Sequence, residues 1–143
     1  MSEENKAVSR RFFEIWNSGD LDQLDEIIAA DAVDHDTQNP FGSTTGPEGA
    51  RQLMSTYRDA FPDLRFAVED QVAEGDLVVT RWTGTGTHDG DMMGVAPTGK
   101  QSTVTGITID RIEDGKVAEG WTNWDTLGMM QQLELIPEAQ TAS

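Results

Sequence analysis

The run Gly106-Ile-Thr-Ile-Asp-Arg-Ile-Glu-Asp-Gly-Lys-Val-Ala-Glu-Gly-Trp-Thr-Asn-Trp-Asp125 constrains the fold more than any other part of this chain. Its two halves are rich in β-branched, aromatic and alternating polar residues, the pattern of half-buried strands. Asp114-Gly115 between them is the pair that closes a tight hairpin, since both residues tolerate positive φ. A chain ending this way must build a sheet, and the segments before it must extend or cover that sheet.

Upstream the strand pattern recurs. Leu64, Phe66 and Val68 alternate with Arg65, Ala67 and Glu69, and Glu74-Gly75-Asp76 turns the chain. Leu77 to His88 reads as one long strand in which Gly84 and Gly86 predict a bend or bulge. The loop 88–99 leads to a strand over 101–112. The first third is helical: Val8, Phe12, Phe13 and Trp16 form an apolar stripe along residues 3–17. Asp20 followed by Gln23 has capping-box spacing for a second helix with Leu21, Leu24, Ile27 and Ile28 on its buried face. A polar loop, residues 34–46, precedes a third helix that starts at Pro47, carries Ala50, Leu53, Met54, Tyr57 and Phe61, and stops before Pro62. A short helix through Leu127, Met130 and Leu133 closes the chain, and the tail after Pro137 is expected to fray. The order predicts a single α+β domain, 1–143, with an ordered core of about 4–136 and a curved antiparallel sheet. Its three N-terminal helices fill the concave face, leaving a cavity at the open end.

Function classes narrow with composition. There are 26 acidic residues against 10 basic, a formal net charge of -16, and only Lys6, Lys100 and Lys116 are lysines. Such a surface repels phosphate backbones, so neither nucleic acid nor an anionic membrane is an expected partner. It also suits a halophilic source, because at ~1 M salt the screening length is only ~3 Å. No apolar run of about 18 residues occurs, so no membrane span is expected. The N-terminal segment lacks a secretory pattern, and there is no cysteine. The expected setting is the cytoplasm.

Asp125, beside Trp121 and Trp124, reads two ways. Burial among indoles would raise its pKa towards a working pH and make it a general acid/base. Alternatively, it is the N-cap of the last helix. With a two-residue turn, Ile112 faces Val117, Asp110 faces Glu119 and Thr108 faces Trp121. Asp125 then shares a face with Trp121 and Asn123, whereas Arg111 and Trp124 lie opposite unless a bulge intervenes. His35, between Asp34 and Asp36, is either a carboxylate-oriented imidazole or an ordinary loop histidine. His88 with Asp89 and Asp91 lacks metal-ligand spacing, so no metal is expected. The tryptophans, with Phe12, Phe13, Met92 and Met93, either wall an apolar pocket or are simply core. Val104, Ile107 and Ile109 leave a second sheet face partly apolar, which predicts a homodimer packed through the sheet.

Several phrases in order resemble the SnoaL-like polyketide cyclase family of the NTF2-like cone fold. They are Asp34-His35, Ala60-Phe-Pro-Asp-Leu64, Glu74-Gly-Asp76, Arg81-Trp82, Gly86-Thr-His88, Gly94-Val-Ala-Pro-Thr-Gly99, Arg111-Ile-Glu-Asp-Gly115 and Glu119-Gly-Trp121 leading to Asp125. The resemblance spans about residues 4–135. It implies an intramolecular aldol ring closure of a small hydrophobic carbonyl compound, with no cofactor or metal. Asp125 matches the family's aspartate, and His35, Arg81, His88 and Arg111 stand where polar contacts to substrate or to Asp125 are plausible. The expected catalytic set is Asp125, His35 and Arg111. The expected substrate-binding set is Phe12, Trp16, Tyr57, Arg81, Trp82, His88, Met93, Trp121 and Trp124. Tyr57 is the only tyrosine, which excludes the multi-tyrosine oxyanion hole of the steroid-isomerase variation. Two alternatives are an epoxide hydrolase using Arg81 or Arg111 with Asp125 and Asp110, and a module that binds a ligand without turnover.

Overall fold

The computed structural model describes residues 2–36, 38–42 and 44–136, so the expected fraying after Pro137 lies outside the described residues. Helix α1 (Ser2–Ser18) buries Ser9, Phe13, Ile15 and Trp16. It stops at Gly19, whose N–H bonds Ile15 O at 2.9 Å with φ at 75°, a conformation glycine adopts cheaply.

The expected second helix is mostly absent. A 3-10 turn (Leu21–Gln23) and a single α-turn, α2 (Leu24–Ile27), give way at once to strand β1 (Ile28–Asp34). Leu24, Ile27 and Ile28 are buried as anticipated. Their spacing fits a helix face equally well as a turn running into a strand. Pairing with the last strand, parallel through Val33↔Glu119, decides between them. Asp20 caps no backbone amide; its carboxylate accepts from Gln23 Nε2 at 2.7 Å.

After the short β2 (Thr44–Thr45), α3 (Gly46–Ala60) begins with Pro47 in its first turn and ends at Phe61. Strands β3 (Arg65–Glu74), β4 (Leu77–Thr87), β5 (Gln101–Glu113) and β6 (Lys116–Trp124) precede α4 (Thr126–Gln132). The sheet order is β2-β1-β6-β5-β4-β3, antiparallel except for the β1–β6 pair, so the curved sheet is mixed rather than wholly antiparallel.

Gly84 and Gly86 make no bulge, because β4–β5 pairing is unbroken from Leu77↔Arg111 to Thr87↔Gln101. They make room instead: a Cβ at Gly84 would stand 3.2 Å from the Phe66 ring, and one at Gly86 3.0 Å from Phe61 Cβ.

The hairpin turn forms as expected, with φ of 53° at Asp114 and 76° at Gly115. Its register departs from simple counting. Ile112 faces Val117, but Arg111 then faces Glu119, so Ala118 is an extra residue on β6 and every later pair shifts by one. Asp110 faces Gly120, Thr108 faces Thr122 and Gly106 faces Trp124. That bulge assigns the two faces of the hairpin: Asp110, Thr108, Thr122 and Trp124 turn towards the helices, and Arg111, Glu119, Trp121 and Asn123 turn away.

Candidate active site

Between α1, α3 and the inner sheet face lies a cavity of about 150 Å³. Its walls are aromatic, with Phe12, Phe13 and Trp16 from α1, Tyr57 from α3, and Phe66, Trp82 and Trp124 from the sheet. Trp82 packs 5.0 Å from Phe66 and donates its indole N–H to Thr108 Oγ1 at 3.0 Å; that hydroxyl in turn meets Thr122 Oγ1 at 3.0 Å. A larger hollow, about 420 Å³, sits at the β1–β6 edge and is rimmed by Asp31, Arg111, Glu113, Asp114, Lys116 and Glu119. It has no aromatic wall, so a hydrophobic ligand fits the inner cavity instead.

Three carboxyl groups line the inner cavity: Asp34, Asp36 and Asp110. Asp110 projects inward from β5 and is only 5% exposed; its Oδ2 accepts from the Ser9 hydroxyl of α1 at 2.9 Å. Burial pushes its pKa up to about 7, reinforced by the negative charge of Asp34 and opposed by the Ser9 bond. Asp34, at the end of β1, accepts from the Asp36 N–H at 3.1 Å and from Asn39 Nδ2 at 3.2 Å. Burial raises its pKa despite these bonds. Asp36 accepts from the Gln38 N–H at 2.8 Å and is raised to about 6, again by burial first. Burial also lifts Tyr57 to about 12, with Asp36 adding to the effect, so its phenol stays neutral and able to donate. Gln38 ties the loop after β1 to the end of β6: it accepts from Trp124 N–H at 2.8 Å and donates to Trp124 O at 2.6 Å and to Thr126 Oγ1. This clamp sets Asp36 against the cavity.

Of the residues expected from sequence, Phe12, Phe13, Trp16, Tyr57, Trp82 and Trp124 line this cavity, as does Asp110 from the epoxide-opening alternative. The other expected site residues do not. Asp125 is exposed and accepts from Gly128 N–H at 2.8 Å as the N-cap of α4. Trp124 is the last inward residue of β6, and the chain turns outward after it. His35 lies on the outer face, stacked on Trp121 with ring centres 5.3 Å apart and its Nε2 2.7 Å from Glu119 Oε2. Arg111 bonds the same carboxylate at 3.1 Å and Glu113 at 2.9 Å. The His35 and Arg111 bonds hold the Glu119 carboxyl below its usual range. Arg81, 52% exposed, pairs with Asp70 on that outer face. Neither arginine therefore stands beside Asp110, as an epoxide-opening arrangement would need. Met93 is 51% exposed on the loop before β5. His88 is fully buried but outside the cavity: its ring lies 5.4 Å from that of Phe61, Nδ1 accepts from the Thr98 N–H at 3.3 Å, and Nε2 has no hydrogen-bond partner. Sequence reasoning missed Asp34 and Asp36 as cavity residues and Ser9 as the hydrogen-bond partner of Asp110, which it named only beside Asp125 in the epoxide-opening alternative. The available signal was Asp110 itself, an acid at the position of an inward apolar residue, two before Ile112.

Among the described residues, no group of three or more His, Asp or Glu side chains is arranged to hold a metal ion. No helix among them is long and apolar enough to cross a membrane.

The comparisons with known proteins agree with this architecture. The family description "SnoaL-like polyketide cyclase" matches residues 6–133. The aklanonic acid methyl ester cyclase AcmA of Streptomyces galilaeus is 31% identical over 142 residues, covering 98% of this chain and 97% of the relative. The nogalonic acid methyl ester cyclase of Streptomyces nogalater is 29% identical over 119 residues, covering 82% and 88%. The crystal structure of IdmH from Streptomyces antibioticus superposes with a TM-score of 0.81 at 36% identity, covering 91% of this chain and 98% of that one. With a family match over residues 6–133 and a fold shared with IdmH, this chain belongs to the SnoaL-like polyketide cyclase family.

Proposed function

We propose that the inner cavity closes a ring in a small hydrophobic carbonyl compound, with Asp110 as general acid/base in the role the sequence suggested for Asp125. The observation that carries this reading is a carboxyl held in an aromatic-lined cavity with its pKa raised to about 7, where it can both take and return a proton near neutrality. As carboxylate, Asp110 removes a proton from the carbon next to a carbonyl. The resulting enolate carbon attacks a second carbonyl of the same molecule. One carbon–carbon bond forms, the carbonyl π bond opens to an alkoxide, and the alkoxide takes the proton back from Asp110. The proton balance closes within this cycle. In this scheme the neutral Tyr57 phenol, which lines the same cavity, donates to the developing oxyanion.

The cavity, about 150 Å³, is small beside the roughly 300–1,000 Å³ of sites for drug-sized ligands, which favours compact diketones. The test is proton NMR in D₂O with such a diketone, and with the methyl esters that the relatives' names specify. The wild type should exchange the α-proton and form the cyclised product. Binding without exchange or product would identify a ligand-holding module instead. Asp125→Ala should lose the α4 cap, lowering stability by about 1 kcal/mol in a thermal melt, while turnover stays at the wild-type rate.

The outer face supports a homodimer. Val72, Val79, Ile109 and Trp121 form one row across β3, β4, β5 and β6, with Ile107 beside it; Val72 is 62% and Ile107 49% exposed. Exposed apolar side chains in a contiguous patch mark an interaction surface. Ile107→Lys should yield monomers by sedimentation equilibrium, and a monomeric wild type would remove the proposal. The net charge of -16 likewise supports a high-salt setting. Molar KCl should then raise the melting temperature, and an unchanged melt would count against it.

A further inference from the structure

The two carboxyl oxygens of Asp110 have different surroundings. Oδ2 accepts from the Ser9 hydroxyl at 2.9 Å. Ser9 is fully buried within α1, where alanine would be the better helix former. A serine hydroxyl inside a helix ordinarily turns to solvent or back to a carbonyl of its own helix. This one crosses to β5, 101 residues along the chain, and holds a carboxyl oxygen. Oδ1 has a different neighbour. The bulge at Ala118 sets Gly120 directly opposite Asp110, and a Cβ at Gly120 would stand 3.2 Å from Oδ1. Asp110 and Gly120 both line the cavity, and Ser9 is not among the described lining residues. Among the described residues, the one side-chain hydrogen bond to Asp110 is the bond from Ser9. Val78 of β4 pairs with Asp110 on its other side, and Asp34 of β1 acts on it through its charge. Asp34 itself is bonded to the Asp36 N–H and Asn39 and feels the charge of His35. Asp36 and Tyr57 are the further titratable groups on the described wall.

Resting on the reading of Asp110 as the acid/base, we propose that Ser9 and Gly120 are positioning residues that make its two oxygens unequal: the Ser9 hydroxyl anchors Oδ2, and the bare Cα of Gly120 leaves Oδ1 as the oxygen that takes and returns the substrate proton. Ionised Asp110 accepts the α-proton on Oδ1, and the same oxygen gives it to the alkoxide once the carbon–carbon bond has formed. The Ser9 hydroxyl keeps its own proton throughout. Its bond fixes the rotation of the carboxyl, so Oδ1 meets the cavity in one orientation, and it favours the ionised form that acts as base. A methyl group at position 120 would press on Oδ1 and turn it from that orientation.

The test follows Ser9→Ala, Gly120→Ala and the double variant by two measurements on the whole protein. Carbon-13 NMR of aspartate-labelled protein titrates the Asp110 carboxyl, assigned by its loss in Asp110→Asn. Exchange of the α-protons of hexane-2,5-dione in D₂O, followed by proton NMR against pH, reports the proton transfer itself. In the wild type both should show a midpoint at about 7, with exchange faster above it. Ser9→Ala removes the bond that opposes the rise, so both midpoints should move up by about one unit. Its KM should stay unchanged, while kcat above the midpoint falls about tenfold. Gly120→Ala should lower kcat about tenfold where Ser9 is present. In the Ser9→Ala background it should cost less than about threefold, because the released carboxyl can swing clear of the added methyl. A Ser9→Ala carboxyl that titrates as in the wild type, or additive losses in the double variant, overturns this assignment and leaves Asp110 as the base. No exchange by the wild type, or exchange that ignores the Asp110 midpoint, overturns the acid/base reading and the assignment with it.

Discussion

Asp110→Asn should abolish turnover and, from pH 3 to pH 8, gain stability steadily relative to the wild type. The buried carboxyl titrates at about 7 in the folded chain, against a usual value of 3.8. Its folded pKa is the higher one, so the sign follows directly. Below about pH 3.8 both folded and unfolded chains carry the proton, and the group places no charge penalty on folding. Between 3.8 and about 7 the unfolded chain ionises while the folded one resists, so stability falls. Above about 7 the penalty is constant, at roughly 4 kcal/mol. Asparagine has no such dependence. Its oxygen still accepts from Ser9, and its NH₂ group costs about 1–3 kcal/mol where it finds no partner. The absolute difference at one pH therefore mixes two effects, whereas the change across the range isolates the carboxyl. Urea titrations at several pH values should show the gap between variant and wild type opening by about 4 kcal/mol. Turnover should fall by roughly 10²–10⁴-fold, the usual contribution of a positioned acid/base. A gap that stays flat with pH would mean that Asp110 ionises normally, and the acid/base reading would go with it.

Gly106→Ala should be among the most damaging single-atom additions to this fold. Gly106 faces Trp124 across the hairpin and lies under the indole of Trp82, and a Cβ there would come within 2.2 Å of Trp82 Cζ2. The neighbour that must yield is not a flexible side-chain end. Trp82 is buried, packed on Phe13 and Phe66, and tethered through its N–H to Thr108. Overpacking of this kind costs roughly 1–3 kcal/mol, and loss of the indole hydrogen bond adds about 1 kcal/mol. A total near 3 kcal/mol lowers the melting temperature by roughly 10 °C in a chain of this size, measurable by scanning calorimetry. Trp82→Phe removes the ring atoms that collide, so in the Gly106→Ala background it should return part of the loss rather than add to it. Additive losses in the double variant would show that the clash is relieved elsewhere.

The parts legible in the sequence are those fixed by local rules. The stripe of α1, the Pro47 start of α3 and the positive-φ pair of the hairpin each depend on residues close together in the chain, and each formed where expected. Strand β1 was not legible, because Ile28-Ala-Ala-Asp-Ala-Val-Asp34 has no strict alternation and becomes a strand only by pairing with β6, about 90 residues later. The site divided the same way. Six aromatic residues of the cavity could be named, since large rings on inward positions of helices and strands must meet somewhere. The inward carboxyl of Asp110 was named only beside Asp125, in the epoxide-opening alternative. Asp125 sits in a helix-capping context and among tryptophans at once, and only the completed sheet shows that the cap prevails. Asp110 could be placed inside only by knowing which side of β5 the helices cover.

Ala118 gives the hairpin a spatial reading frame. Because the bulge absorbs this single extra residue, deleting Ala118 would leave every later β5–β6 pair as it is, whereas flattening the bulge with Ala118 kept would act on the sheet as a frameshift acts on a gene. Trp121 and Glu119 would then rotate towards the helices, and Thr122 and Trp124 would rotate out to solvent. The chemistry of the hollow thus depends on one residue being looped out of the ladder, and descendants of this fold could lose that residue without exchanging interior for exterior.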